Sequence, residues 1–293
     1  MKKVRKGIIL AGGKGSRLNP ITLSVSKQLL PVYDKPMIYY PISNLIMAGI
    51  KEILLICDPL QIDLFKRIIK DGSQWGVKIK YEIQLKPEGI AQSFIIAEEF
   101  LDGQPVCLIL GDNLFYGEEL PSKFKFAANN FKKSTVFAYR VKDPNRYGIV
   151  EFDSNYNALN IQEKPRNAKS NFAVTGIYFY NNNVVDIAKN LSPSNRGELE
   201  ISEINNILLS NKELIVNLMN RGTAWLDTGT FDSLYEAGAF IKTIENRQGL
   251  KVGCPEEAAF IEGLISKKEL EKRALEIKSS SYGKYLLELI KNN

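Results

Sequence analysis

The sequence predicts an α/β protein with a mostly parallel, layered central sheet flanked by helices, followed by a helical C-terminal appendage. Three observations predict it. Short apolar runs at Ile8–Ala11, Glu52–Cys57 and Val106–Leu110 have the length and composition of strands buried on both faces. Segments with helical spacing separate them, and strands that alternate with helices build parallel sheets. Past Gly253 the apolar residues fall into narrow stripes, Leu264/Ile265, Leu270, Ala274/Leu275, Tyr285/Leu286 and Leu289/Ile290. Such stripes cannot form a core alone and must pack on the main body or a neighbouring subunit.

In order, Gly12, Gly13 and Gly15 follow the first strand, and Pro31–Pro36 is turn-rich, with Pro36 suited to the first turn of a helix. Met37, Ile38, Ile42, Leu45 and Ile46 form that helix's apolar face, and Gly49 ends it. After the strand Glu52–Cys57, Pro59 opens a helix carrying Ile62, Phe65, Ile68 and Ile69. Val77–Ile83 alternates as a half-exposed strand does, and a helix over Gly89–Phe100 precedes Val106–Leu110. The second half loses this regularity: strands are expected near 134–142, 148–153 and 172–180, and helices near 182–190, 200–210 and 230–247. Ligands of open parallel sheets bind beyond the carboxyl ends of the strands, where the glycine loop lies.

Composition narrows the chemistry. The 293 residues are 44% hydrophobic and 25% charged, ordinary for a globular protein, and no apolar run approaches the roughly 18 residues of a membrane span. The basic N-terminus Met1–Lys6 leads into an apolar segment too short for a signal peptide, so a cytoplasmic location is expected. Cys57, Cys107 and Cys254 read as small core residues. The chain has no histidine, which excludes a Ser-His-Asp triad, a Cys-His dyad and imidazole-bound zinc. Any metal is then held by oxygen, as Mg²⁺ is. The net charge of +6 is scattered, without the basic stripe of a nucleic-acid binder, and suits a small polyanionic substrate.

Glycines just past a buried strand let backbone N–H groups approach a phosphate, and Arg17 and Lys27 add the cations that a polyphosphate needs. The loop fits neither G-x-x-x-x-G-K-[ST] nor G-x-G-x-x-G, which disfavours a dinucleotide-dependent oxidoreductase. Asp112, beside Gly111 at the end of a buried strand, has the place of a hard-metal ligand, and Asp227 is a second carboxylate at a strand end. The bland alternatives are a turn-forming Asp112-Asn113 and Asp227 as the cap of the helix from Thr230. Gln84 offers the donor and acceptor needed to read a pyrimidine edge, with Gly89 freeing a backbone group beside it. Glu163-Lys164-Pro165, between strands, suits a sugar hydroxyl pair and a sugar phosphate, or forms a plain surface ion pair.

Gly12–Leu18, Ser26–Met37, Gly111-Asp112-Asn113, Glu163-Lys164-Pro165, Val174-Thr175-Gly176 and Trp225–Gly229 together resemble the glucose-1-phosphate thymidylyltransferases, collinearly from near residue 3 to about residue 290. The resemblance implies a Rossmann-like catalytic domain over 1–250 with a mixed sheet. Its nucleotide-binding part is about 1–120 and its sugar-binding part about 121–250, and 251–293 forms the helical segment. It implies a Mg²⁺-dependent homotetramer acting on dTTP and glucose 1-phosphate, with no nucleic-acid or membrane partner. By motif position, Gly12, Gly13, Ser16 and Arg17 hold the triphosphate, and Gln84, Pro87 and Gly89 read thymine. Lys27 and Lys164 contact phosphates at the reacting centre, and Asp112 and Asp227 ligate the metal. Tyr147, Gly148, Glu163, Val174, Thr175 and Tyr178 line the sugar pocket beside Trp225, and Leu10, Gln28 and Asn113 complete the substrate-binding set. The sequence departs from the family pattern at Asn19, where histidine is common, and at Ala168, where proline is common. Phe260 and Ile261 stand where the family usually carries tyrosine or tryptophan and then arginine, in the tail that carries its second, regulatory nucleotide site.

Thymine and uracil share the edge that Gln84 would read, so a UTP-using enzyme, or one acting on another sugar phosphate, is the nearest alternative. A non-catalytic nucleotide-sugar sensor is the alternative from another class.

Overall fold

The computed structural model describes residues 4–129 and 132–292, so Met1, Lys2 and Lys3 of the basic N-terminus lie outside the described residues. The strands are β1 (Lys6–Ala11), β2 (Pro31–Val32), β3 (Lys35–Pro36), β4 (Glu52–Cys57), β5 (Lys78–Ile83), β6 (Val106–Leu110) and β7 (Asn113–Tyr116). Then come β8 (Ser134–Arg140), β9 (Gly148–Phe152), β10 (Ala158–Glu163), β11 (Phe172–Tyr180), β12 (Leu214–Leu218) and β13 (Ala224–Asp227). A nine-stranded sheet runs β10-β9-β11-β6-β1-β4-β5, with β8 on β11 and β12 on β8. Its first half, β6-β1-β4-β5, is parallel, and β11 joins β6 antiparallel, so the sheet is mixed.

The central parallel strands β1, β4 and β6 are apolar past their first residues because both faces are covered, whereas β5 at the edge alternates, with Lys78, Lys80 and Glu82 exposed. Ile9, Ala11, Ile53, Leu55, Cys107 and Ile109 enter one core with helix Tyr39–Met47 and the C-terminal helices. Ile8, Leu54, Ile56, Val106 and Leu108 enter a second core with helices Gln92–Ile96, Val184–Lys189 and Ile201–Ser210. The period of two in each strand sorts these residues to opposite faces. A third, smaller core joins Leu114 to Ala237 and Ile241 of helix Phe231–Gln248. Thr230 caps that helix in a capping box with Ser233, and Gly249 ends it with φ 69°.

The C-terminal stripes pack on the main body. Ile265, Leu270, Ala274, Leu286 and Ile290 share the core that holds Ile42 and Trp75. All three cysteines are buried and free, and burial pushes the Cys57 thiol up to about 12. No helix among the described residues is long and apolar enough to cross a membrane.

Four expectations need correction, the first at Pro59, which lies in the turn before helix Ile62–Ile69 and does not open it. Pro36 is not in a helix: it pairs with Pro31 in the small ribbon β2–β3, and the helix begins at Tyr39. The helix expected over Gly89–Phe100 begins at Gln92 and breaks at Ala97 into Gln92–Ile96 and Glu98–Leu101. Glu163 does not lie between strands; it is the last residue of β10. The elements β7, β10, β12 and helix Leu120–Asn129 add to those expected. β10 is a polar strand at the edge of the sheet, where apolar alternation is not required.

Candidate active site

The ends of β1 and β6 lie side by side where the chain order of the sheet reverses, the crevice where such sheets bind ligands. The Gly111 N–H donates to the Leu10 carbonyl at 2.9 Å and ties the two strand ends together. Gln28 is buried beneath this junction, accepting from the Ser26 hydroxyl at 2.6 Å. Gly12 is required by its neighbour: a Cβ there would stand 2.0 Å from Gln84 Oε1. Gln84 follows β5, and its Nε2 donates to Gln92 Oε1 at 2.7 Å, so the amide is oriented over the glycine loop. Gly13 and Gly15 take φ values of 93° and 57°, and Gly15 leads into the 3₁₀ turn Ser16–Leu18. Buried Leu18 anchors that turn, and Arg17 projects from it to the cavity described below. Pro87 is exposed, and Gly89 lies close against the Leu199 backbone, where the Leu199 N–H donates to the Glu88 carbonyl at 2.7 Å.

Two carboxylates meet at the end of a two-stranded ribbon. The β7–β13 register sets Asp227 opposite Asn113, with Asp112 the residue before it. Thr228 Oγ1 donates to the Asp112 carbonyl at 3.0 Å, which fixes that end. Asp112 accepts from Lys27 Nζ at 2.5 Å and from Asn113 Nδ2 at 2.8 Å. Burial pushes its carboxyl up, but the Lys27 charge and hydrogen bond, with Asn113, hold it below the usual aspartate value. Asp227 accepts from Arg146 Nη2 at 2.8 Å and from the Tyr147 hydroxyl at 3.0 Å. Burial and the Asp227 charge raise Tyr147 to about 12, so it stays a phenol and a donor.

Beside the carboxylates lies a cavity of about 310 Å³. Val174, Gly176 and Tyr178 of β11 form one wall, and Tyr147, Gly148, Glu163 and Lys164 another. Asn113, Trp225, Arg17, Asp112 and Asp227 close the end toward the strand tips. Trp225 Nε1 donates to Asn113 Oδ1 at 2.6 Å, and a Cβ at Gly176 would come within 2.3 Å of that oxygen. Lys164 takes φ 40°, its N–H donates to the Tyr147 carbonyl at 3.0 Å, and its ammonium lies 3.7 Å from Glu163. Burial, with repulsion from Glu200, raises the Glu163 carboxyl above its ordinary value against the pull of Lys164 and Arg196. Burial likewise raises the Tyr178 phenol.

The structure therefore gathers most of the expected sugar-pocket residues around one space, while Leu10, Gly12, Gly13, Ser16, Lys27, Gln28, Gln84, Pro87 and Gly89 are not in its lining. Thr175 is the exception: it is fully buried between two wall residues and is not on the wall. Asp227 does not cap the helix that follows, since Thr230 does.

Residues 6–244 match the family model of nucleotidyl transferases. The chain belongs to the nucleotidyl transferase family. It is 55% identical to the glucose-1-phosphate thymidylyltransferase of Neisseria gonorrhoeae over 97% of this chain and 99% of that one. It is 52% identical to the enzyme of the same name from Mycolicibacterium smegmatis, over 97% and 99%. A crystal structure of a Bacillus anthracis protein assigned the same name, in complex with sucrose, superposes with a TM-score of 0.74 at 40% identity, covering 80% of this chain and 94% of that chain.

In this nucleotidyl transferase, sequence reasoning missed several wall residues. Ile90, Ile161, Ile201, Ser202 and Asn205 reach the cavity from three separate elements, and no local motif marks them. Arg146 had a signal, a cation next to an aromatic residue already singled out; its guanidinium carbon lies 5.5 Å from the centre of the Tyr147 ring. A second cavity, of about 590 Å³, lies by the C-terminal tail, with Tyr40, Tyr116, Lys251, Glu257 and Ile261 in its lining. Phe260 is not on that wall, and Lys251 there is held by Asp34 and Glu245.

Proposed function

We propose that this enzyme transfers the thymidylyl group of dTTP to glucose 1-phosphate, forming dTDP-glucose and pyrophosphate. The observation that carries the reading is the convergence of Arg17, Lys164, Asp112 and Asp227 on one cavity that Tyr147, Glu163 and Tyr178 also line. The sugar phosphate lies in this cavity. The triphosphate lies along the Gly12–Gly15 loop, with Gly12, Gly13, Ser16 and Arg17 as its contacts. Gln84, above Gly12, reads the pyrimidine edge, and Pro87 and Gly89 shape that subsite. Leu10 and Gln28 support the loop from below. Gly148 and Val174 bound the sugar, and Asn113, fixed by Trp225, faces it.

A phosphate oxygen of the sugar phosphate attacks the α-phosphorus of the nucleotide as its bond to pyrophosphate breaks. Arg17, Lys27 and Lys164 bind and align the two phosphate groups and neutralise charge that builds up on them. No side chain is required as a nucleophile, consistent with a chain that lacks histidine. The donor set fits Mg²⁺: Asp112 and Asp227 are hard oxygen ligands at one ribbon end. Among the described residues no group of three or more acidic, histidine or cysteine ligands exists, and Mg²⁺ is commonly held by one or two carboxylates plus phosphates and water. Bound there, Mg²⁺ supplies charge stabilisation to the phosphate oxygens. The division into a domain over 1–250 and a helical segment over 251–293, a cytoplasmic location and a homotetrameric assembly form part of the same proposal.

The test is pyrophosphate release with glucose 1-phosphate and Mg²⁺, comparing dTTP, UTP, dCTP, ATP and GTP. Release greatest with dTTP and abolished by EDTA is expected. Release with UTP but not dTTP overturns the base assignment, and folded protein silent with every nucleotide overturns the reaction. A methyl group contributes only about 1–3 kcal/mol of discrimination, so some release with UTP accompanies the expected result.

Glu163 gives a pH dependence. Its raised value means that the carboxylate protonates, and ceases to accept from sugar hydroxyls, at a pH above the ordinary glutamate range. KM for glucose 1-phosphate is expected to rise as pH falls through that range while KM for dTTP changes little. In Glu163→Gln the sugar KM is raised at all pH values and only the pH dependence that comes from the substrate's own phosphate remains, which steady-state kinetics across the acid limb checks. Ionised Glu163 opposes folding above its raised value, so the same substitution is expected to hold or raise Tm at neutral pH.

A further inference from the structure

Both oxygens of Asp227 are already engaged, by the consecutive residues Arg146 and Tyr147. The two donors differ in kind. The phenol is neutral and can turn away, whereas the guanidinium is charged at every accessible pH. The Arg146–Asp227 pair is partly shielded, with side-chain exposures of 36% and 24%, and Arg17 also lies close: a Cβ at Gly229 would stand 3.2 Å from Asp227 Oδ2 and 3.3 Å from Arg17 Nη2. A divalent cation bound at Asp227 would therefore meet Arg146 as a like charge on the same carboxylate. Arg146 has somewhere to go, because it also lines the cavity assigned to the sugar phosphate. It is the last residue of the short 3₁₀ turn Pro144–Arg146, and its guanidinium carbon lies 5.5 Å from the centre of the Tyr147 ring.

We propose that Arg146 is an exchangeable counter-ion: it neutralises Asp227 in the free enzyme, yields that carboxylate to the divalent cation, and turns into the cavity to bind the phosphate of the sugar substrate. This rests on the reading of Asp227 as a metal ligand. The exchange makes cation and sugar phosphate bind with positive coupling, since each favours the position of Arg146 that the other needs. It makes Arg146 a positioning residue toward the metal and a substrate contact afterwards.

The test titrates the purified full-length protein with Mn²⁺, a hard cation suited to carboxylate ligands, and counts free Mn²⁺ by electron paramagnetic resonance with and without glucose 1-phosphate. In Arg146→Gln, Mn²⁺ is expected to bind at least about fivefold more tightly without the sugar phosphate, and the tightening by glucose 1-phosphate to shrink. Arg146→Lys, which keeps the charge, is expected to stay near wild type on both counts. A merely structural arginine would instead leave Mn²⁺ affinity unchanged or weakened on removal, and either result overturns the exchange. Coupling of wild-type size in Arg146→Gln overturns the transfer to the phosphate. Asp227→Asn separates the underlying reading: it is expected to weaken Mn²⁺ in every background, and full-strength binding there overturns the metal site itself. Circular dichroism and Tm confirm that each variant is folded.

Discussion

Asp112→Asn is expected to lower kcat by about 10²–10³-fold, the scale for removing one group from a preorganised electrostatic site. The carboxylate does two things that an amide cannot. It holds Lys27, which is only 8% exposed, through a charged contact of 2.5 Å, and it offers a hard oxygen at the ribbon end. The substitution leaves Lys27 without its counter-charge in a nearly buried place, which costs roughly 1–3 kcal/mol of stability. Tm is expected to fall by several degrees while the circular dichroism spectrum persists. Ionised Asp112 stabilises the fold above the ordinary aspartate range, and that contribution is lost as pH falls through its lowered value. The acid limb of the stability curve should accordingly be shallower in the variant. Wild-type turnover in folded Asp112→Asn would remove the residue from the reacting centre.

Lys164→Ala is expected to lose a similar 10²–10³-fold in kcat with almost no change in Tm. The contrast follows from exposure. The Lys164 side chain is 43% exposed and its contact with Glu163 is 3.7 Å, an ion pair of the kind that contributes little to folding. Its backbone is held separately by the N–H bond to Tyr147, so the main chain survives truncation of the side chain. If rapid-quench kinetics showed an unchanged chemical step and only a raised KM, Lys164 would be a ground-state contact and not a participant in the transition state. The pair of variants thus separates two cations that look alike in sequence: Lys27, buried and paired, and Lys164, exposed and poised.

Much of this was legible in the chain. The parallel strands β1, β4 and β6 show as apolar runs because two-sided burial leaves no room for polar residues. The glycine loop and Asp112 show because each follows such a run, and Gln84 because it follows the alternating strand β5, so that each lies at a strand's carboxyl end. The antiparallel half was harder to read. β10 and β12, the latter parallel to β8, lie at the margins of that half of the sheet, where half-exposed strands carry mixed residues, and the β7–β13 ribbon is only four residues long. Thr175 shows the limit at single-residue scale. A motif marks Val174-Thr175-Gly176 as one stretch, but Val174 and Gly176 reach the cavity and Thr175 does not.

By itself the sequence determined that no nucleophilic machinery is built on histidine, and it pointed to a phosphate-handling loop and to oxygen ligands for any metal. It did so because residue type and order along a buried strand are local properties. Only the tertiary structure decided which charges neutralise one another. Lys27 meets Asp112 across 85 residues, and Arg146 meets Asp227 across 81. Ile90, Ile201 and Ile161 converge on one wall from a loop, a helix and a strand. Such pairings depend on register and on the order of strands in the sheet, and Coulomb energy depends on distance in space, which spacing along the chain does not encode.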